Sequence, residues 1–205
     1  MARCVVFCAG GFDGVISPLE KEDYIIAADG GFSHVKAIGL KPDCVLGDFD
    51  SLGSVPEGAQ VFPVEKDDTD AMLAVRHGLS LGYKEFVFYG ALEGTRLDHT
   101  VANYQMLLFL AKQGAKGTLI GNQQSVTTVT NGKLEFSPET DGTLSVFAMG
   151  GRAKGVTLTG LKYNAEKVTL TPDFPLGVSN HFTGKAASVS VEEGTLLVIY
   201  PTKKR

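Results

Sequence analysis

Apolar and polar positions along this 205-residue chain keep one rhythm up to about residue 121 and another beyond it. In the first part, short apolar runs bounded by Gly, Pro or Asp alternate with segments of helical period. Runs this short between breakers suit buried strands, predicted over 5–9, 24–28, 44–46, 60–63, 86–89 and 118–120. Helices are predicted over 32–38, 70–81 and 97–113. The second carries Met72, Val75 and Leu79 at i, i+3 and i+7, and the three stop at Gly39, Gly82 and Gly114, where a left-handed C-terminal cap favours glycine. Strand–helix alternation implies a mostly parallel sheet covered by helices.

After Gly121 the helical period disappears. Short β-branched strands are predicted over 126–130, 133–136, 144–148, 156–159, 187–191 and 195–200. Asn131-Gly132 and Glu193-Gly194 read as tight hairpin turns. The expected fold is an α/β N-terminal domain with a mostly parallel sheet over 1–121, followed by an all-β C-terminal domain over 122–205, an antiparallel sandwich or small barrel.

Composition adds mainly exclusions. With a net charge of −4, and Lys203-Lys204-Arg205 as the only basic run, nothing advertises a nucleic-acid surface. Apolar stretches break well short of the roughly 18 residues a membrane span needs. The apolar start runs into Gly10-Gly11, which suits a first strand better than a signal peptide. Cys4, Cys8 and Cys44 are odd in number and lack metal-ligand spacing, so reduced, buried thiols in a cytoplasmic protein are expected. Aspartate is the unevenly spread residue: ten of twelve fall between Asp13 and Asp98. Such gathering points to a site in the first half.

Three acidic turns there each lead from a strand toward a helix. In Gly47-Asp48-Phe49-Asp50-Ser51, the i and i+2 carboxylates of an extended segment share one edge. They serve either as ligands for Mg²⁺ with substrate phosphates, or as ordinary turn and cap residues. Lys66-Asp67-Asp68-Thr69-Asp70 must supply a helix cap, yet capping does not account for three neighbouring aspartates, which a cation or a nearby lysine would relieve. Gly94-Thr95-Arg96-Leu97-Asp98-His99 offers a guanidinium fork for phosphate beside free helix N–H groups, although Asp98 also suits an N-cap and His99 a core position. All three turns would meet at the carboxyl edge of a parallel sheet, the usual ligand crevice. Carboxylates with Lys and Arg are the equipment of phosphoryl transfer. No Walker-type loop is present, and Gly10-Gly11-Phe12-Asp13-Gly14 lacks the dinucleotide-binding spacing.

Taken in order, Ala28-Asp29-Gly30-Gly31, Lys41-Pro42-Asp43, Gly47-Asp48-Phe49-Asp50-Ser51, Lys66-Asp67-x-Thr69-Asp70, and Arg96-x-Asp98-His99 with Asn103 resemble the thiamine pyrophosphokinase family. Gly160-Leu161-Lys162-Tyr163 and Gly177-Val178-Ser179-Asn180 resemble its thiamine-side segments, so the likeness runs from about residue 28 to 200. It implies pyrophosphoryl transfer from ATP to the hydroxyl of thiamine, leaving AMP, in a homodimer with thiamine near the interface. It also implies a Mg²⁺–phosphate centre of Asp48, Asp50, Asp67 and Asp70, with Asp48, Asp50 and Asp70 as metal ligands. Arg96 would hold phosphates and Asp98 would orient or deprotonate the hydroxyl. Asp29, Lys66, Thr69, His99 and Asn103 would bind substrate, with Tyr163, Ser179 and Asn180 on the thiamine side. Two features depart from the family pattern. The turn before Arg-x-Asp-His is Gly94-Thr95-Arg96 instead of Gly-Gly-Arg, in a segment one residue longer, and there is no Trp, leaving Tyr163, Phe174 and Phe182 as stacking candidates. The rival readings are a haloacid-dehalogenase-like phosphotransferase using an Asp48-Phe49-Asp50 nucleophile motif, and a non-catalytic nucleotide- or thiamine-binding module.

Overall fold

The computed structural model describes residues 2–16, 18–49, 55–63 and 67–202. Strand β1 (Cys4–Phe7) is apolar and buried at all four positions, as a central strand covered on both faces must be. It pairs in parallel with β2 (Tyr24–Ala28) on one side and β5 (Glu85–Tyr89) on the other. The short strands β3 (Cys44–Gly47) and β4 (Gln60–Val61) continue outward from β2, and β6 (Lys116–Ile120) continues from β5, all in parallel. The resulting order is β4-β3-β2-β1-β5-β6. The chain therefore builds one wing, returns to the centre and builds the other. Its direction reverses between β1 and β5, which opens a crevice at their carboxyl ends.

Alternate residues of β1 serve opposite faces. Cys4 and Val6 join Ala74 and Val75 of α2 (Asp70–Ser80) and Met106, Leu107 and Leu110 of α3 (Leu97–Lys112). Val5 and Phe7 join Val35 of α1 (Gly31–Ala37). Each large side chain wholly buried in these layers contributes about 1.5–3 kcal/mol. Helix α1 can start only at a glycine, because a β-carbon on Gly31 would lie 1.9 Å from the Phe7 carbonyl oxygen.

Hydrogen bonding does not stop at residue 121. Strand β7 (Gln124–Thr130) pairs antiparallel with β6, and β13 (Glu193–Pro201) pairs antiparallel with β7. Next comes β9 (Thr143–Thr159), where two separate strands were expected. Its first part pairs with β13, while its far part pairs with β10 (Ala165–Leu170) and β12 (Ala187–Ser190). Between the two parts stand Gly150 and Gly151, both with positive φ, at 73° and 154°. β9 thus belongs to two sheets. Leu144, Val146 and Ala148 from one part and Ala153, Val156 and Leu158 from the other share one core with Val189, Leu196 and Val198.

Both expected hairpins prove to be corners. β7 does not pair with β8 (Lys133–Phe136), whose partner is β12, and β12 does not pair with β13. Asn131 has φ 44°, and its side chain accepts the Gly194 N–H at 2.9 Å, so the two turns lock side by side. Asn-Gly chemistry sets the local φ and leaves the partner strand open. β10 and the two-residue β11 (Asn180–His181) escaped prediction because exposed Glu166 and Lys167 break the apolar run of the first, and the second is too short to show a pattern.

Among the described residues no helix is long and apolar enough to cross a membrane. The three cysteines are free and buried, and burial pushes the Cys4 and Cys8 thiols up to about 12.

Candidate active site

The carboxyl ends of β1, β2, β3 and β5 and the N-termini of α2 and α3 enclose a cleft of about 780 Å³. Of the residues singled out from the sequence, Asp29, Asp48, Thr69, Asp70, Arg96, His99 and Asn103 line it. Asp50 and Lys66 lie outside the described residues. Asp67 is exposed and outside the lining, and its neighbour Asp68 stands at the wall instead. Asp98 is exposed at the rim. Tyr163, Ser179 and Asn180 sit apart, in the β half.

Two turns of the cleft hold non-glycine residues in the left-handed region, Asp29 at φ 47° and Phe49 at φ 59°. Such strain persists only where neighbours enforce it. Asp29 is buried, its N–H bonded to the Leu46 carbonyl at 2.8 Å and its carbonyl accepting the Phe32 N–H at the start of α1. The strained turn after β2 is therefore tied to the end of β3, two residues before Asp48.

The second acidic turn answers its own repulsion. Thr69 caps α2, its Oγ1 accepting the Met72 N–H at 3.2 Å, which puts Asp70 in the first helical turn where the helix dipole favours a negative charge. Arg76, two turns into the same helix, donates to both Asp68 oxygens, Nε to Oδ2 at 2.7 Å and Nη2 to Oδ1 at 3.2 Å. Its guanidinium carbon also lies 5.4 Å from the centre of the Phe109 ring on α3. One aspartate is neutralised by arginine, one favours the dipole and one faces water. Arg76 was not singled out from the sequence, because its i+8 spacing from Asp68 across a helix start matches no local pairing rule.

At the third turn Asp98 does not cap α3. The N-cap position is Arg96, and Asp98 lies in the first turn. The two form a forked ion pair: Arg96 Nε donates to Oδ1 at 3.0 Å, and Nη2 donates to Oδ2 at 2.7 Å. Those bonds from Arg96 lower the Asp98 carboxyl to about 2. His99 is exposed on the lining and is not a core histidine. Asn103 is buried and donates from Nδ2 to the Ala91 carbonyl at 2.8 Å, which fixes the chain leaving β5 against α3.

In the β half, Asn180 is 5% exposed and its amide is occupied by backbone. Oδ1 accepts the Tyr163 and His181 N–H groups at 3.0 and 2.9 Å, and Nδ2 donates to the Tyr163 carbonyl at 2.6 Å. It holds the Tyr163 loop in place. The Tyr163 ring is exposed, with Lys162 Nζ 5.3 Å from its centre. Ser179 is exposed at φ 61°, and its N–H donates to Ser145 Oγ at 3.1 Å. Of the other stacking candidates, Phe174 is exposed. Phe182 is buried edge-on against Phe136 at 5.1 Å, so core packing removes it from any ligand.

Comparison with known proteins matches the chain as a whole to one family. The family model of the thiamin pyrophosphokinase catalytic domain fits residues 17–119, and that of the thiamin pyrophosphokinase vitamin B1 binding domain fits residues 132–196. A thiamine pyrophosphokinase of Bacillus subtilis (strain 168) is 27% identical over 213 residues, covering 98% of this chain and 99% of the relative. A crystal structure of thiamine pyrophosphokinase from Bacillus subtilis superposes with a TM-score of 0.83 at 26% identity, covering 99% of this chain and all of that one. A thiamin pyrophosphokinase family protein from Enterococcus faecalis gives 0.80 at 27% identity, with both chains covered in full.

Proposed function

The chain belongs to the thiamine pyrophosphokinase family, and from that premise we propose that it transfers the pyrophosphoryl group of ATP to the hydroxyl of thiamine, giving thiamine diphosphate and AMP. The hydroxyl oxygen of thiamine attacks the β-phosphorus. The bond from that phosphorus to the oxygen bridging the α- and β-phosphates breaks, and AMP leaves. The hydroxyl proton passes to a carboxylate, assigned to Asp98. The observation carrying this reading is the single cleft shared by Asp48, Thr69, Asp70, Arg96 and His99 at the reversal point of the sheet.

Arg96 has two employments. Paired with Asp98, it lowers that carboxyl, which is a poor base while the pair holds. Drawn onto phosphate oxygens by its matching fork, it would leave Asp98 free to accept the proton. Thr69, His99 and Asn103, which line the cleft, are assigned to the phosphate path, and Asp29 to the nucleotide; Lys66 is assigned to the phosphates from the family resemblance alone. Asp48 and Asp70, with Asp50, are assigned to Mg²⁺. Among the described residues no three His, Cys, Asp or Glu side chains converge as a closed metal cage. Within the described lining Asp48 and Asp70 supply two carboxylates, a number that suits Mg²⁺, which keeps several waters and takes substrate phosphates as ligands. When bound, the ion would neutralise charge on the transferring phosphates; Asp67 would add to the field from outside the lining.

The domain assignment is an α/β catalytic part with a mostly parallel sheet to residue 121 and a β-sandwich thiamine-binding part from 122. Tyr163, Ser179 and Asn180 are assigned to the thiamine side, Asn180 by shaping the loop that offers Tyr163. A cytoplasmic homodimer with thiamine near its interface completes the reading. Exposed Leu97 and Val101 beside the cleft, and exposed Phe174, Leu176 and Val178 in the β half, are apolar groups that a second copy would cover.

The test is an endpoint assay with ATP, Mg²⁺ and thiamine in which AMP, ADP and thiamine products are separated. AMP and thiamine diphosphate in equal amounts, abolished by chelator, are expected. ADP with thiamine monophosphate would overturn attack at the β-phosphorus, and a trapped aspartyl-phosphate would favour the dehalogenase-like rival.

A further inference from the structure

Where the Gly90–Arg96 segment departs from the family pattern, it contains Glu93, and there two loops of the cleft meet the loop after β6. The backbone carbonyl of Glu93 accepts the Gly11 N–H at 2.6 Å, from the loop after β1. Its Oε1 accepts the Asn122 N–H at 2.6 Å, from the loop after β6. Glu93 itself belongs to the loop after β5, three residues before Arg96. The packing leaves no slack: a β-carbon on Gly10 would lie 2.5 Å from the Glu93 carbonyl oxygen, and one on Gly121 would lie 2.9 Å from Oε1. The Asn122 side chain then donates to Asp13, extending the tie to the outer part of the first loop.

The charge of Glu93 makes its position informative. A carboxylate lining a cleft that takes polyphosphate repels the ligand. Its presence there is accounted for by the N–H it accepts, since a charged acceptor makes a short, strong bond. We propose that Glu93 is a positioning residue, bracing the loops after β1, β5 and β6 so that the turn carrying Arg96 and Asp98 keeps its place over the phosphates. This rests on the pyrophosphokinase reading for the identity of the reaction, but the brace itself is testable by nucleotide binding alone.

The variants are Glu93→Ala, which deletes the acceptor, and Glu93→Gln, which keeps a neutral acceptor. Binding of α,β-methylene-ATP is measured by calorimetry, and kcat and KM are measured with ATP and thiamine. Glu93→Ala is expected to weaken analogue binding and lower kcat by about tenfold each, since small misplacements of catalytic groups carry costs of this order. The KM for thiamine should stay unchanged, and Glu93→Gln should recover most of the loss. Glu93→Ala behaving as wild type in both measurements would overturn the proposal, as would Glu93→Gln proving as damaged as Glu93→Ala. If Glu93→Ala does not fold, Gly121→Ala, which crowds Oε1, must show the same loss of analogue binding or the proposal falls. A wild type that binds the analogue but forms no thiamine diphosphate sinks the functional reading and leaves the brace standing on the binding data.

Discussion

The two halves of this molecule present their candidate residues by different means. In the α/β half every strand of the parallel sheet ends at the same edge, so topology brings turns distant in sequence together, and backbone bonds such as those from Asp29 to Leu46 and from Gly11 to Glu93 then join them. Asp29, Asp48, Asp70 and Arg96 follow four different strands and still line one cleft. In the β half strands run both ways and no edge collects the loops. Tyr163 is held in position by one buried side chain, Asn180, through two hydrogen bonds to its backbone. A parallel sheet gathers a site by topology; an antiparallel one must tie it residue by residue.

The largest effect that sharpens this contrast is chemical. Asp70→Asn keeps the shape of the first turn of α2 and removes a charge from the cleft. Turnover should fall by about 10²-fold or more, the scale of losing one preorganised electrostatic group, with a melting temperature close to wild type. Near-normal AMP formation in that variant would remove Asp70 from the reaction. The middle effect belongs to the β half. Asn180→Ala strands the Tyr163 and His181 backbone groups, at a cost of about 1–3 kcal/mol. It should raise the KM for thiamine by about tenfold while leaving that for ATP alone; equal changes in both would erase the division of labour between the halves.

The smallest effect near neutral pH comes from the buried thiols. Cys4 and Cys8 stay protonated to about 12 when folded, against an ordinary 9.0. Above pH 9 the unfolded chain therefore binds fewer protons than the folded one, and stability falls as pH rises from about 9 toward 12. Below that window the thiols contribute no pH dependence. Melting temperatures across alkaline pH, with and without Cys8→Ala, would show whether the slope flattens.

How far the sequence could be read follows from the same contrast. The helices are found within a residue or two because period and glycine stops are local signals. The acidic turns were legible because each follows a strand and two of them lead into a helix, and a parallel sheet turns that placement into proximity. Arg76 was not legible, since its partner Asp68 appeared as a spacer between two motif residues. Glu93 was visible only as an extra residue in a loop. In the β half, Asn131-Gly132 correctly signalled a reversed backbone, yet pairing depends on which surface the next strand buries, and that is decided by residues far along the chain. The single β9 was hidden for a related reason: Gly150-Gly151 has the composition of a loop, and β13 and β12 draw it into one bent strand.

The pairing of β6 with β7 carries a consequence for any attempt to separate the halves. An open parallel sheet has two borders, each a row of unsatisfied backbone groups able to recruit foreign chains. One border here is β4, only two residues long, which offers little to recruit. The other would be the five-residue β6, which ends in Leu119 and Ile120, and it is sealed by β7. Expression of residues 1–121 alone would uncover that row. The β half thus shields its neighbour from self-association, and the shorter product should precipitate where the full chain stays dispersed.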